Sequence, residues 1–381
     1  MELSLTDDQT LFVETTRRFL ADTSPITATR QLGDTPLGFT REWWQRGAEL
    51  GWTSLLAPES VGGTASDPHA VNDLANVAFQ RGRCVAPGPF AALNTAVAAM
   101  AGAAAPAPES TTMLEATMAG EHVIALAAQE RAAGWPVAAS SRLQTVLATV
   151  ADGSLVVSGT KTLVEAAGAA DSFLVLAAGV SGPVLVAVPA GAAGVEIVDR
   201  ESIDLVRRFA DVEFRDVNVA ASSIVTDDAR VIEWALDVGT ILQLAETVGV
   251  LDRVHEFTKE WAFDRHTFGR PLASYQEIKH RFADMTLWLE ASKATVVAAA
   301  RALGAKRSDA AELVSTAASY VDDHGPELVQ DCVQMHGGIG VTWEHDIHLF
   351  LRRATINALT FGTTRDHRER LAAMTLSAAT D

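Results

Sequence analysis

The sequence predicts an α+β fold with three parts: an N-terminal helical domain, a middle small β-barrel and a C-terminal four-helix bundle. Apolar residues recur at helical spacing towards both ends of the chain, whereas the middle consists of short β-rich runs separated by turn residues. No long helical stretch interrupts those runs, which disfavours a parallel sheet with crossover helices. These changes of period place the expected domains at residues 1–120, 121–228 and 229–381.

Helical spacing predicts four helices in the N-terminal domain. The first helix follows candidate N-cap residues at positions 4–8. The other three lie at residues 41–50, 73–83 and 91–103. The last of these is short and dominated by alanine, so a membrane span is not expected there. The alanine and proline run at 103–108 is interpreted as a linker.

Seven β-rich runs follow, and the chain then returns to helix. The runs lie at residues 123–127, 145–150, 155–157, 173–176, 184–188, 195–198 and 212–219. Many short strands at near-regular spacing favour a small antiparallel barrel or sandwich. Long amphipathic stretches at 231–261, 276–303 and 309–335, with a shorter one from residue 364, predict the helix bundle.

The composition excludes several classes of protein. Apolar residues make up 48% of the 381 positions, which is too many for a disordered chain. A net charge of −18 argues against general nucleic-acid binding, because phosphate neutralisation needs a basic surface. The cysteines Cys84 and Cys332 allow one disulfide but are expected to be reduced in a cytoplasmic protein, since the N-terminus shows no signal peptide. His345 and His348 lack further ligands at metal-site spacing, so no metal is expected.

Three stretches of the C-terminal domain contain residues that suit ligand binding. The first carries Arg265 and Thr267, which can both address a phosphate. The second, 337–340, has three glycines after a long helix, where a backbone can approach a ligand closely. The third contains Thr363 just after a glycine. Taken singly, each stretch also has a structural explanation: an interhelix loop, a helix C-cap and a helix N-cap.

Together and in this order, these stretches resemble the acyl-CoA dehydrogenase family, and the resemblance covers nearly the whole chain. The segment 44–63 is similar to the family's N-terminal helical part, and 338–349 resembles bacterial members that act on bulky steroid side-chain CoA thioesters. Some of those members are α2β2 assemblies. The resemblance implies an FAD-dependent oxidoreductase of lipid or steroid degradation. In the implied reaction, a glutamate removes the α-proton of an acyl-CoA, hydride passes to flavin N5, and trans-2-enoyl-CoA forms. An electron-transfer flavoprotein would be the electron acceptor.

The resemblance also implies which residues hold FAD. Nine positions match family residues that contact it: Arg265, Thr267, Phe268, Leu272, Tyr275, Gln334, Gly337, Gly338 and Thr363. Arg265 and Thr267 match contacts to the pyrophosphate, while Thr363 matches a contact to the flavin. In this family the segments at 265–275 and 334–338 largely serve the flavin of a neighbouring subunit.

The family's usual catalytic glutamate is missing from this sequence. The Tyr-Glu-Gly-Thr stretch of the family reads Thr360-Phe361-Gly362-Thr363 here, and the phenylalanine ring cannot accept a proton. Some members carry the base on the first long helix of the C-terminal domain, where this chain has Glu246 among apolar neighbours that suit a general base. The matching position lies nearer Gly239, about two turns earlier on the same face. The alternative for Glu246 is a structural glutamate satisfied within the bundle or by Arg253.

The flavin cradle expected in the middle domain is altered as well. The family's Thr-Glu-Pro-x-Ala-Gly-Ser corresponds to residues 129–135, which end in Trp135. The family's Lys-x-Trp-Ile-Thr-Asn corresponds to 161–166, where Leu163 replaces the indole and Glu165 replaces the threonine. The chain thus keeps what would hold a neighbour's FAD and loses much of its own cradle, which favours a hetero-oligomer over a homo-oligomer. Three functions remain open: a catalytic subunit using Glu246, a non-catalytic subunit completing a partner's FAD site, and an acyl-CoA oxidase or other flavoenzyme on this fold.

Overall fold

The computed structural model describes residues 5–65, 68–104, 106–131, 135, 143–150 and 154–378. Within these ranges the N-terminal part contains α1 (Asp7–Thr23), α2 (Ile26–Leu32), α3 (Arg41–Glu49), α4 (Ala70–Arg83), α5 (Phe90–Gly102) and α6 (Pro108–Met118). A capping box starts α1, because Thr6 Oγ1 accepts from the Gln9 N–H and the Gln9 side chain accepts from the Thr6 N–H. Helices α2 and α6 were not predicted. The helix α6 begins at Pro108, which suits the first helical position because its missing N–H needs no partner there.

The middle part is one sheet, which is mixed and not purely antiparallel as expected from the sequence, because two of its strand pairs are parallel. Its strands are β1 (Ile124–Ala127), β2 (Val146–Thr149), β3 (Leu155–Glu165), β4 (Ser172–Ala178), β5 (Pro183–Pro189), β6 (Val195–Arg200), β7 (Phe209–Val219) and β8 (Ile224–Thr226). The strand order is β6-β7-β3-β2-β4-β5-β8, with β1 parallel to β4. Phe173 on β4 meets Phe214 on β7 edge to face at 6.0 Å, although these strands are not neighbours in the sheet. The sheet therefore curls around its own core, in the manner of the predicted barrel.

The C-terminal part consists of three long helices packed side by side and two shorter ones that pack against them. They are α7 (Ala229–Asp264), α8 (Gln276–Gly304), α9 (Ala310–His336), α10 (Ile347–Asn357) and α11 (Thr364–Ala378), with a hairpin of β9 (His266–Thr267) and β10 (Arg270–Pro271) between α7 and α8. Helix α7 is long and apolar enough to cross a membrane, but 89% of its most apolar window is buried inside the protein, as in the core helix of a soluble fold. The short helix α10 was not predicted. Cys84 and Cys332 are free thiols.

Candidate functional site

The positions that depart from the expected flavin cradle line one small cavity. Its walls include Gln129, Trp135, Leu163, Glu165 and Phe361, which lie where the middle and C-terminal parts meet. The cavity has a volume of about 20 Å³, which is room for about one water molecule. The rings of Trp135 and Phe361 lie 4.8 Å apart and fill the space between the two parts. A flavin ring or an acyl chain does not fit here. Residues 132–134 of the altered stretch lie outside the described residues.

The two positions matched by resemblance to the family's base carry no side chain that accepts a proton, since they are Gly239 and Phe361. A Cβ atom on Gly239 would lie 2.4 Å from Cε1 of Phe361 and 2.1 Å from Oγ1 of Thr95, so no side chain fits at that position. Phe361 itself is buried and has a φ of +61°, in the left-handed region. Burial lowers the pKa of His367 to about 4, so its ring is neutral at pH 7, and its Nε2 lies 3.0 Å from the Phe361 carbonyl oxygen. This contact holds the turn that places the phenyl ring in the cavity.

Glu246 lies in a buried ionic network outside the lining of that cavity. Arg353 Nη1 donates to its Oε1 at 2.8 Å, and Asn357 Nδ2 lies 3.4 Å from its Oε2. Arg253, the partner considered from the sequence, instead donates to Glu256 at 2.7 Å. Since both carboxylate oxygens of Glu246 have partners, its contacts favour the structural alternative. Its assignment as the base stays a prediction.

The same network joins the three parts of the chain. Arg353 donates to Asp204 at 2.5 Å and to the Ala86 carbonyl oxygen at 3.1 Å. Burial raises the pKa of Asp204, but the Arg353 guanidinium, the Val206 N–H and the Arg207 charge together outweigh this effect and hold that pKa below its usual range. Arg207 forms two bonds of 2.6 Å with Glu165, the residue that replaces the family threonine. The charges of this network thus adjoin the place of the expected acyl and flavin site.

Most members of this network carry no signal in the sequence. Arg207, Arg353, Asp204 and Asn357 are all buried, although arginine and aspartate are usually exposed. Their partners lie far away along the chain, as with Arg353 and Glu246, which are 107 positions apart. The only available signal was Glu165, a charge at a position where the family has a neutral hydroxyl.

The two predicted FAD segments lie side by side. Arg265, Thr267 and the rest of the first segment are on the β9–β10 hairpin and its continuation, whereas Gln334, Gly337 and Gly338 lie at the end of α9. Trp261, in the last turn of α7, donates from Nε1 to the Met335 carbonyl oxygen at 3.3 Å, which joins the ends of α7 and α9. Thr363 is in a different place. Its hydroxyl oxygen accepts from the Asp366 N–H at 3.3 Å at the start of α11, which is the bond of a helix N-cap, and the hydroxyl also donates to the Asp366 carboxylate at 2.7 Å. Its contact with a flavin stays a prediction.

The two FAD segments form an open rim on the surface. Phe268, at the hairpin tip, is 99% exposed, and Arg265 is exposed as well. A Cβ atom added to Gly337 or Gly338 would meet nothing within 4 Å. The hairpin is held in shape by a bond of 2.8 Å from the Tyr275 hydroxyl to the Thr267 carbonyl oxygen. A guanidinium and a hydroxyl on an open, ordered rim suit a pyrophosphate, so this half of an FAD site fits the cofactor.

Comparisons with known proteins agree with this architecture. Residues 6–121 match the family model "Acyl-CoA dehydrogenase, N-terminal domain", and residues 229–376 match "Acyl-CoA dehydrogenase, C-terminal domain". The chain is similar to acyl-CoA dehydrogenase IpdE2 of Mycobacterium tuberculosis, with 37% identity over 140 residues, which is 35% of this chain and 41% of that protein. The matched region thus spans less than half the length of that relative.

Two solved structures share the whole fold. A chain of the ChsE4-ChsE5 complex from Mycobacterium tuberculosis has a TM-score of 0.88 at 24% identity, covering 99% of both chains. A chain of the Tcur3481-Tcur3483 steroid ACAD variant has a TM-score of 0.87 at 23% identity, covering 98% of this chain and 99% of that one. The two matched family models cover more than half of this sequence. The chain belongs to the acyl-CoA dehydrogenase family, whose members are FAD-dependent oxidoreductases.

Proposed function

We propose that this chain is one of two unlike subunits of a cytoplasmic acyl-CoA dehydrogenase and that it completes the FAD site of a homologous partner subunit. The observation that carries this proposal is a contrast between two places. The position of the chain's own flavin cradle holds a cavity of about 20 Å³, whereas the hairpin with Arg265 and the turn at Gly337 and Gly338 form an open rim. The similar structures ChsE4-ChsE5 and Tcur3481-Tcur3483 are each named for two proteins, which supports an assembly of two unlike subunits.

The proposed reaction is the oxidation of a bulky or steroid side-chain acyl-CoA to its trans-2-enoyl-CoA. The similarity to a protein described as a steroid ACAD supports this substrate class. Arg265 and Thr267 would hold FAD, which would supply the hydride acceptor, and an electron-transfer flavoprotein would then take the electrons. In this proposal the partner supplies the catalytic base and the cradle for the flavin ring.

In this proposal the residues of this chain bind and orient the partner's FAD and exclude substrate from the chain's own cavity. The Arg265 guanidinium would pair with the pyrophosphate and the Thr267 hydroxyl would donate to it. Trp135 and Phe361 fill most of the chain's own cavity and leave no room there for a substrate. Arg353 connects the three parts of the chain through its ion pairs with Asp204 and Glu246 and its bond to the Ala86 carbonyl oxygen, so the rim belongs to one packed body.

The role of Glu246 separates a catalytic from a supporting subunit. In the co-expressed assembly, Glu246→Gln should retain most of the turnover per bound flavin, because its carboxylate serves Arg353. Enoyl-CoA formed from a steroid side-chain acyl-CoA is measured by mass, normalised to flavin absorbance. Glu256→Gln is the matched control, since Glu256 lies on the same helix and also pairs with arginines. A loss of about 10²–10⁴-fold with flavin retained, as expected for removal of a general base, would establish Glu246 as the base and overturn the supporting role.

A further inference from the structure

One aromatic pair joins the two FAD segments. Trp261 in the last turn of α7 stacks on His336 at the end of α9, with ring centroids 5.2 Å apart and planes 18° apart. The Trp261 indole also donates to the Met335 carbonyl oxygen, and the Arg265 guanidinium lies over its ring at 5.9 Å. Trp261 therefore contacts the first segment through Arg265 and the second through His336.

His336 fixes where the second segment leaves α9. Its Nδ1 lies 2.8 Å from the Cys332 carbonyl oxygen, so Nδ1 carries a proton and donates it. Burial, with a smaller contribution from His345, lowers the pKa of His336, although the bond to the Cys332 carbonyl oxygen opposes this shift. The rings of Phe257 and His345 pack against it at 5.7 and 4.6 Å. The next residue, Gly337, has a φ of +64°, which favours glycine, and this turn begins directly from the clamped ring.

We infer that Trp261 and His336 are positioning residues for the dinucleotide: they fix the spacing between Arg265 and the Gly337–Gly338 turn without touching FAD. This inference rests on the proposed function. Fork-like pairing of a guanidinium with a pyrophosphate depends on geometry, so a shift between the segments weakens binding. Both Trp261 and His336 line a cavity of about 580 Å³, so the remaining ring has room to shift when the stack is lost.

Titration of FAD into the deflavinated assembly tests this inference. Trp261→Leu should weaken FAD binding by about tenfold, the combined effect expected for an aromatic pair and a hydrogen bond. Turnover at saturating FAD should stay normal, because neither ring contacts the reacting atoms. Trp261→Phe keeps an aromatic ring but loses the indole N–H, so it should reduce FAD affinity by less than Trp261→Leu does. The matched control is Trp288→Leu, which removes a similar stack on His324 at 5.3 Å and 11°, about three turns from the segment on α9.

The following results would overturn the positioning role of Trp261 and His336. Equal FAD affinity in Trp261→Leu and Trp288→Leu would overturn the positioning role, as would turnover that stays low at saturating FAD. If Trp261→Leu does not assemble, Trp261→Phe and His336→Leu are titrated instead, and wild-type affinity in both would reject the inference. Arg265→Ala distinguishes this failure from that of the proposed function. Unchanged FAD affinity in Arg265→Ala would refute the shared FAD site itself. Reduced FAD affinity in Arg265→Ala with wild-type affinity in the Trp261 variants would refute only the positioning role.

Discussion

Replacing Arg353 with methionine is expected to lower the free energy of unfolding by about 3–5 kcal/mol, because it leaves buried carboxylates without their cation. Arg353 is 0% exposed and donates to Asp204, Glu246 and the Ala86 carbonyl oxygen. A buried water molecule carries no net charge, so it cannot replace the guanidinium as the counter-charge of the two carboxylates. Denaturant unfolding of the purified assembly at pH 7 measures the change.

The neighbouring Arg352 supplies the control for this prediction. It donates to the Ile203 carbonyl oxygen at 2.9 Å in an exposed setting, so Arg352→Met should cost less than about 1 kcal/mol. Equal effects of Arg352→Met and Arg353→Met would show that the network contributes no specific stability. The ion pairs would then not explain how the three parts of the chain are held together.

Replacing Arg265 with alanine is expected to release flavin from the assembly. Removing one partner of a charge pair that becomes covered on assembly weakens binding by about 10²-fold or more. Arg265→Lys keeps the charge but loses the fork, so we expect an intermediate loss. The ratio of FAD to protein after gel filtration, read from flavin absorbance, measures both variants.

An arginine on the same hairpin controls for the loss of surface charge. Arg270 lies over the Tyr275 ring at 3.9 Å, so its guanidinium has a partner within the hairpin. Arg270→Ala should leave most of the flavin in place. Full flavin occupancy in Arg265→Ala, or an equal loss in both variants, would contradict the assignment of the pyrophosphate contact to Arg265.

Much of the fold could be predicted because its elements repeat a simple period. The helix α9 (Ala310–His336) lies within one residue of its predicted start and end, since apolar residues recur along its length at helical spacing. Helix α10 (Ile347–Asn357) was missed because its buried face includes Arg353, a residue type that normally marks a solvated face. The strand β8 (Ile224–Thr226) has three residues, too few to show a period.

Residues of the candidate site could be predicted only where they belong to a short sequence motif. Phe361 and Leu163 stood out because they replace residues of a known pattern, and both line the cavity of about 20 Å³. The partner of Glu246 was not visible, because Arg353 lies on another helix and only the tertiary fold brings the two together. Likewise, no spacing rule indicated that Trp261 would stack on His336 across two helix ends.

The most direct test is a flavin absorbance spectrum with a solution mass, for this chain alone and for the chain co-expressed with a homologous acyl-CoA dehydrogenase that carries the Tyr-Glu-Gly-Thr glutamate. The shared-site account predicts a colourless chain alone and a yellow assembly of two unlike subunits with fewer than one FAD per chain. A yellow homo-oligomer with close to one FAD per chain would contradict it, because the chain's own cradle would then hold flavin despite Trp135 and Phe361.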